Sequence, residues 1–202
     1  MSTTPAPAAR NRWLPVAGAA CAGLSLAASA MLSAKHLGHL DLPGCGPESA
    51  CDALATSRWG NLFGWPVAFL GTAWFAALLV AWVWTWRWDG VPAWLRGAMD
   101  LSLAGSLYFV ALMVVKGYPC GYCLAVHRGN LGLWLAGKAR RTATGRLGLV
   151  AAGCVAAVLV AMTGLLFAAQ KQAVRAAAQK QESLFQTSLA RILDAARQPA
   201  AS

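Results

Sequence analysis

Apolar residues run in long unbroken stretches along this chain, and most of the charge falls in the segments before, between and after them. Residues 13–34, 64–86 and 147–170 contain no Asp, Glu, Lys or Arg. Each stretch exceeds the ~20 residues a helix needs to cross a bilayer core. Two further spans are less pure: 98–115 carries Asp100 near its start, and 119–137 contains His127 and Arg128. Lipid offers no partners for backbone N–H and C=O groups, so spanning segments of this length are helices. They are too long for the ~10-residue alternating strands of a membrane barrel. The pattern predicts an all-α integral membrane protein of five spans.

Composition agrees with this pattern. Of 202 residues, 58% are hydrophobic and only 12% charged, against roughly 25% charged in soluble domains. The net charge of +10 would suit nucleic acid, but its placement points elsewhere. Arg10 and Arg12 precede the first span. Arg87 and Arg96 lie between the second and third. Lys138, Arg140, Arg141 and Arg146, in a basic segment 138–146, lie between the fourth and fifth. These segments alternate along the chain and would share one side of the membrane, which the positive-inside rule makes cytoplasmic. The charge is therefore read as topology, and no nucleic-acid partner is expected.

Residues 1–12 read as a disordered cytoplasmic segment, rich in Pro, Ala and Thr without apolar period. Arg10, Arg12, the apolar run and Ala28-Ser29-Ala30 imitate a cleavable signal. The run is longer than a typical signal core, so an uncleaved helix is expected. Residues 35–63 form an outer loop. Cys51 to Ser57 suits a short helix, and Trp59, Phe63 and Trp65 suit the headgroup region. After the fifth span (147–170), the tail 171–202 places Phe185, Leu189, Ile192 and Ala196 at helical spacing. It reads as an amphipathic extracytoplasmic helix that rests on the membrane, docks a partner or packs on the bundle.

Four cysteines fall on the outer side: Cys45 and Cys51 in the loop, Cys120 and Cys123 at the start of the fourth span. Disulfides persist in an extracytoplasmic space. The C-x2-C of Cys120 and Cys123 is a redox spacing, and a helix start beside it favours a thiolate. A static structural disulfide is the plain alternative. Cys120, Cys123 and His127 share one helix face, which Asn130 extends. A polar stripe inside a membrane is costly unless it lines a site. His127 could bond or protonate a ligand oxygen there, or simply link two helices. Arg128 and Asp100 differ in depth and are not paired. Cys21 and Cys154 sit within apolar runs and read as small hydrophobes. A reading from another class remains: a non-enzymatic membrane protein that binds zinc through the outer cysteines with His36 and His39.

Cys45 and Cys51, then Ser57-Arg58-Trp59-Gly60 and Phe63-Gly64, then Cys120 and Cys123, in this order over residues 13–137, resemble the vitamin K epoxide reductase family in its stand-alone bacterial form. The resemblance implies a four-helix transmembrane bundle around a quinone site, with a fifth transmembrane helix beside it. It implies that Cys120 and Cys123 are the redox centre, with Cys123 meeting the quinone, and that Cys45 and Cys51 shuttle electrons from a thioredoxin-fold protein. Ser57, Trp59, Phe63 and His127 would border the quinone, His127 standing where animal members carry a tyrosine. The acceptor implied is a respiratory quinone, ubiquinone or menaquinone. The tail is too short for a fused thioredoxin-like domain of ~100 residues, so the partner is expected in trans. The expected setting is the bacterial inner membrane, with the site on its extracytoplasmic side.

Overall fold

The computed structural model describes residues 13–38, 40–62, 64–87, 90–143 and 147–197. The expected disordered segment 1–12 lies outside them. Six α-helices appear among the described residues: α1 (Trp13–His36), α2 (Ala50–Thr56), α3 (Val67–Trp84), α4 (Ala93–Lys116), α5 (Gly121–Ala139) and α6 (Leu147–Arg197). Four two-residue strands, β1 (Asn61–Leu62), β2 (Trp65–Pro66), β3 (Val91–Pro92) and β4 (Thr142–Ala143), pair as an antiparallel β1–β2 hairpin and a parallel β3–β4 bridge. The chain divides into two compact units, 1–163 and 164–202.

Four helices are long and apolar enough to cross a membrane: α1, α3, α4 and the stretch Ala152–Asp194 of α6. The protein is an all-α membrane protein. α5, expected as the fourth span, is set apart by its polar content, which includes His127, Arg128 and Asn130. The expected break at 170–171 is absent, and the chain stays helical to Arg197. Within the second unit Leu184, Phe185, Leu189, Ile192 and Leu193 are all exposed.

In the first unit α1 packs on both α3 and α5, and α5 packs in turn on α4. The buried face of α1 is a row of small residues: Gly18, Ala22, Ser25, Ala28, Ser29 and Ser33. Apolar helices in lipid gain little by hiding apolar surface from one another, so close backbone approach and interhelical hydrogen bonds hold them together. Both occur here. Ser25 Oγ donates to the Val126 carbonyl of α5 at 2.9 Å, and Ser33 Oγ lies 2.8 Å from Thr72 Oγ1 of α3. A Cβ on Gly129 would collide with Ser25 Oγ and the Cys21 carbonyl. Gly18 likewise leaves room for the Trp82 ring, whose Nε1 donates to the Pro15 carbonyl at 2.8 Å.

The basic connections meet at the Trp82 end. Arg140 donates to Thr85 Oγ1 and to the Thr85 carbonyl at 2.6 and 3.0 Å, with its guanidinium over the Trp82 ring. Arg96 donates to the Arg140 carbonyl. Asp100, left unpaired in the sequence reading, takes Lys138 at 2.9 Å and the Trp134 indole at 2.6 Å, while Arg128 is exposed on α5.

Gly129→Leu forces α5 away from α1 and is expected to destabilise the bundle by roughly 1–3 kcal/mol, the usual cost of overpacking. Thermal unfolding in detergent measures this. Gly97→Ala, where a Cβ meets nothing within 4 Å, should not lower the midpoint. Equal midpoints for Gly129→Leu and the parent would show that the seam is not tight.

Candidate redox site

At the end of the bundle away from the basic connections, α4 terminates and α5 begins within a few residues. Gly117 closes α4 in the left-handed region (φ +68°), and Tyr118 N–H reaches back to the Met113 carbonyl at 3.0 Å. Glycine is favoured at such a terminus because it has no Cβ to clash. Pro119 then bars continuation of the helix. Cys120 becomes the N-cap of α5, its sulfur accepting the Cys123 N–H at 3.2 Å. Pro119 directly precedes this cap. At this position unpaired N–H groups and the helix dipole favour a thiolate.

The outer loop brings the second pair to the first. Cys45 and Cys51 form a disulfide with their Cα atoms 5.0 Å apart, while Cys120 and Cys123 are free thiols. Cys51 sits on α2, whose N-terminus is capped by Ser49 accepting Asp52 N–H at 3.1 Å. Tyr122 of α5 donates its hydroxyl to the Pro43 carbonyl at 3.2 Å and ties the loop down. Leu42, Cys45, Cys51, Met113 and Cys120 then share one buried cluster, with Cys123 against it. Two pairs separated widely in sequence thus belong to one packed site. Cys21 packs partly buried beside Gly132, and Cys154 is exposed.

Lys35, at the end of α1, escaped the sequence reading. Its Nζ lies 2.8 Å from Asp52 Oδ1 and 3.5 Å from Cys45 Sγ. A cation at this disulfide favours the thiolate released when it opens. A lysine closing an apolar span is common for topological reasons, which hid its role.

Beside the cysteines lies a cavity of about 570 Å³, bordered by Cys51, Cys123, Trp59, His127, Phe75 and Phe109 among others. That volume lies within the usual range for small-molecule sites, roughly 300–1,000 Å³. Of the residues the resemblance assigned to it, Trp59 and His127 line it. Ser57 stands behind the wall. Its hydroxyl donates to the Leu54 carbonyl at 2.7 Å and accepts the N–H groups of Trp59 and Gly60, both at 3.2 Å. It shapes the turn that presents Trp59. Gly60 fits there because a Cβ would strike the Leu54 and Ala55 carbonyls. Phe63 lies outside the described residues.

His127 stacks against Phe109 (6.4 Å between centroids, 13° between planes), and its Nδ1 is 3.0 Å from Ser106 Oγ. Ser106 and Ser102 of α4, one turn apart in an apolar helix, carried a sequence signal that went unread. Trp74 carried none. As for zinc, the loop disulfide takes two of the four sulfur donors, His36 packs edge-on to Phe69, and His39 lies outside the described residues. Among the described residues no group of three or more His, Cys, Asp or Glu could hold a metal.

A dithiol and a disulfide packed against one another, at the end of a helical membrane bundle and beside a ligand-sized cavity, define the thiol–disulfide site of a membrane protein. The sequence profile of the vitamin K epoxide reductase family matches residues 16–137, and the chain belongs to that family. Membership makes it a thiol–disulfide oxidoreductase. A search of curated proteins finds no match to the chain.

Replacing Lys35 with Gln is expected to slow opening of Cys45–Cys51 by a small dithiol about fivefold at neutral pH, the size of one partly screened charge contact. Asp52→Asn, which frees the lysine from its competing carboxylate, should speed it. Stopped-flow reduction read by thiol alkylation checks both signs. Equal rates in all three proteins would remove Lys35 from the site.

Proposed function

We propose that this protein reoxidises a thioredoxin-fold partner outside the cytoplasm and delivers the electrons to a membrane quinone, ubiquinone or menaquinone. The observation that carries the reading is the shared border of the cavity, which holds Cys123 from the C-x2-C and Cys51 from the loop pair. A quinone bound there accepts two electrons and two protons and leaves as the quinol.

The cavity suits such a ligand. Most of its border is apolar, matching a ring and its lipid tail, and His127, Ser102 and Ser106 supply a few polar contacts at one side. The chain's own residues carry the thiol chemistry. A partner dithiol opens Cys45–Cys51 by thiolate attack on one sulfur; the partner is oxidised to its disulfide and the loop pair is reduced to two thiols. The reduced loop pair then attacks the Cys120–Cys123 disulfide. Cys45–Cys51 re-forms, and Cys120 and Cys123 are left as thiols. Oxidation of those two thiols back to a disulfide at the cavity completes the cycle. Packing of Leu42, Cys45, Cys51, Met113 and Cys120 in one cluster supports exchange within a short reach. Trp59 and neighbouring loop residues form the wall, Ser57 supports it from behind through the turn it shapes, and Phe63 is assigned to it by the family motif.

The five-span arrangement, with α5 as a crossing helix, follows from the same reading. The basic segments flanking α3, α4 and α5 lie at the end opposite the cysteines. By the positive-inside rule that end is cytoplasmic, and the site faces outward in a bacterial inner membrane. Residues 13–137 form the catalytic bundle, 138–146 the cytoplasmic connection and 171–202 the extracytoplasmic tail.

Purified protein supplied with a reduced thioredoxin-fold oxidase should reduce a soluble ubiquinone or menaquinone analogue, read as loss of quinone absorbance. Cys123→Ser should bring the rate to background while leaving Cys45–Cys51 reducible. Full turnover in that variant, or no turnover in the parent with a competent donor, would overturn the reading.

A further inference from the structure

Five polar side chains that no sequence motif joins form one continuous hydrogen-bonded chain along the cavity. Trp74 Nε1 of α3 donates to Ser102 Oγ of α4 at 3.0 Å. Ser102 Oγ donates to Asn130 Oδ1 of α5 at 3.0 Å. Asn130 Nδ2 donates to Ser106 Oγ of α4 at 2.7 Å. Ser106 Oγ lies 3.0 Å from His127 Nδ1 of α5. Asn130 is completely buried, so its amide cannot turn to water for other partners.

The direction of this chain is set at its first member. An indole N–H can only donate. Ser102 accepts from Trp74, and its own proton finds its acceptor in Asn130 Oδ1; with the amide turned the other way both neighbours would donate to Ser102 and that proton would lose this partner. That choice fixes which end of the amide is oxygen and which is nitrogen. Asn130 Nδ2 then donates to Ser106. Two serines of α1 return their protons to their own helix: Ser29 and Ser33 each donate to the carbonyl four residues earlier. Ser106 makes no such bond among the described residues, and its proton has His127 Nδ1 within reach. A ring nitrogen that accepts carries no proton, so the proton of the neutral imidazole sits on Nε2.

We propose that Trp74, acting through Ser102, Asn130 and Ser106, holds His127 in the Nε2–H tautomer, so that this histidine offers the cavity a hydrogen-bond donor rather than a base. These four are positioning residues; His127 is the group that meets the ligand. The ligand class is one with an acceptor oxygen at that point, such as a carbonyl. A neutral donor also implies selectivity between redox forms, because a carbonyl oxygen is a better acceptor than a hydroxyl oxygen that has its own proton to place. The site therefore favours the oxidised ligand over its reduced form and helps the product leave. Only the identity of the ligand rests on the quinone reading; the tautomer is a property of the protein alone.

The test uses the full chain in lipid nanodiscs with ¹⁵N-labelled histidine, the His127 signals being assigned by their loss in His127→Gln. Without quinone, the parent should show a protonated Nε2 and an unprotonated Nδ1. Ser106→Ala and Trp74→Phe should give a mixture of tautomers, whereas Ser106→Thr, which keeps the hydroxyl, should restore the parent pattern. An Nδ1–H tautomer in the parent, or an unchanged pattern in both Ser106→Ala and Trp74→Phe, would overturn the proposal. In turnover with a quinone analogue, Ser106→Ala should raise KM about tenfold, the size of one lost hydrogen bond, with kcat changed far less, and Ser106→Thr should recover it. The parent tautomer pattern with no quinone turnover would leave the positioning chain standing and sink the quinone reading instead.

Discussion

The rest of the structure depends on how closely α5 lies against α1. Gly129 has no side chain, and the space a Cβ would need is taken by Ser25 Oγ and the Cys21 carbonyl. The Ser25 hydroxyl closes the contact by donating to the Val126 carbonyl. In a membrane, where lipid competes equally for apolar side chains, such close contacts between small residues are what distinguish one helix partner from another. Because α1 also packs on α3 and α5 also packs on α4, this single seam sets the spacing of the bundle. The cavity lies beside it, bordered by residues of these four helices, of the outer loop and of α6.

The seam also determines what happens at the cysteine end. α1 carries Lys35 to the loop, and α5 begins at Gly121, directly after the Cys120 cap. Holding the two helices together therefore holds Lys35, the loop disulfide and the C-x2-C in one packed region. The loop adds its own constraints, including the Ser49 cap on α2, the Tyr122 bond to Pro43 and the turn built on Ser57. None of these involves a cysteine, yet each limits where a cysteine can go. Thiol exchange needs sulfurs to approach within bonding distance, so such supports decide whether two pairs can communicate.

Away from the sulfurs, the same packing makes a ligand space with one polar side. α4 contributes Ser102 and Ser106 to it, α5 contributes His127 with Asn130 buried behind, and α3 contributes the indole that can only donate. A buried polar network of this kind is costly unless every member is satisfied. Here each hydrogen bond leaves a definite donor or acceptor for the next. The site's chemistry is therefore set by helix packing as much as by the reactive groups.

Much of this was legible along the chain. Long uncharged runs dictate membrane helices because an unpaired backbone cannot sit in lipid. The ordered cysteines with Ser57, Trp59 and Gly60 carry the family likeness, and the Gly117 and Pro119 pair marks the place where one helix must end and the next begin. Other features had no local signature. Serine and glycine in an apolar run look alike whether they face lipid or a partner, so the α1–α5 seam could not be read. A span-ending lysine looks like a topology signal, which concealed Lys35 beside Cys45. Ser57 was expected against the ligand, but its hydroxyl bonds are to backbone groups whose positions depend on the folded turn. The sequence by itself determined the helices, the chemistry of the sulfurs and the polar face of α5, because those follow from composition and periodicity. Only the tertiary structure decided which groups meet, since hydrogen bonds between Trp74, Ser102, Asn130, Ser106 and His127 exist only once three separate helices stand within 3 Å contacts of one another.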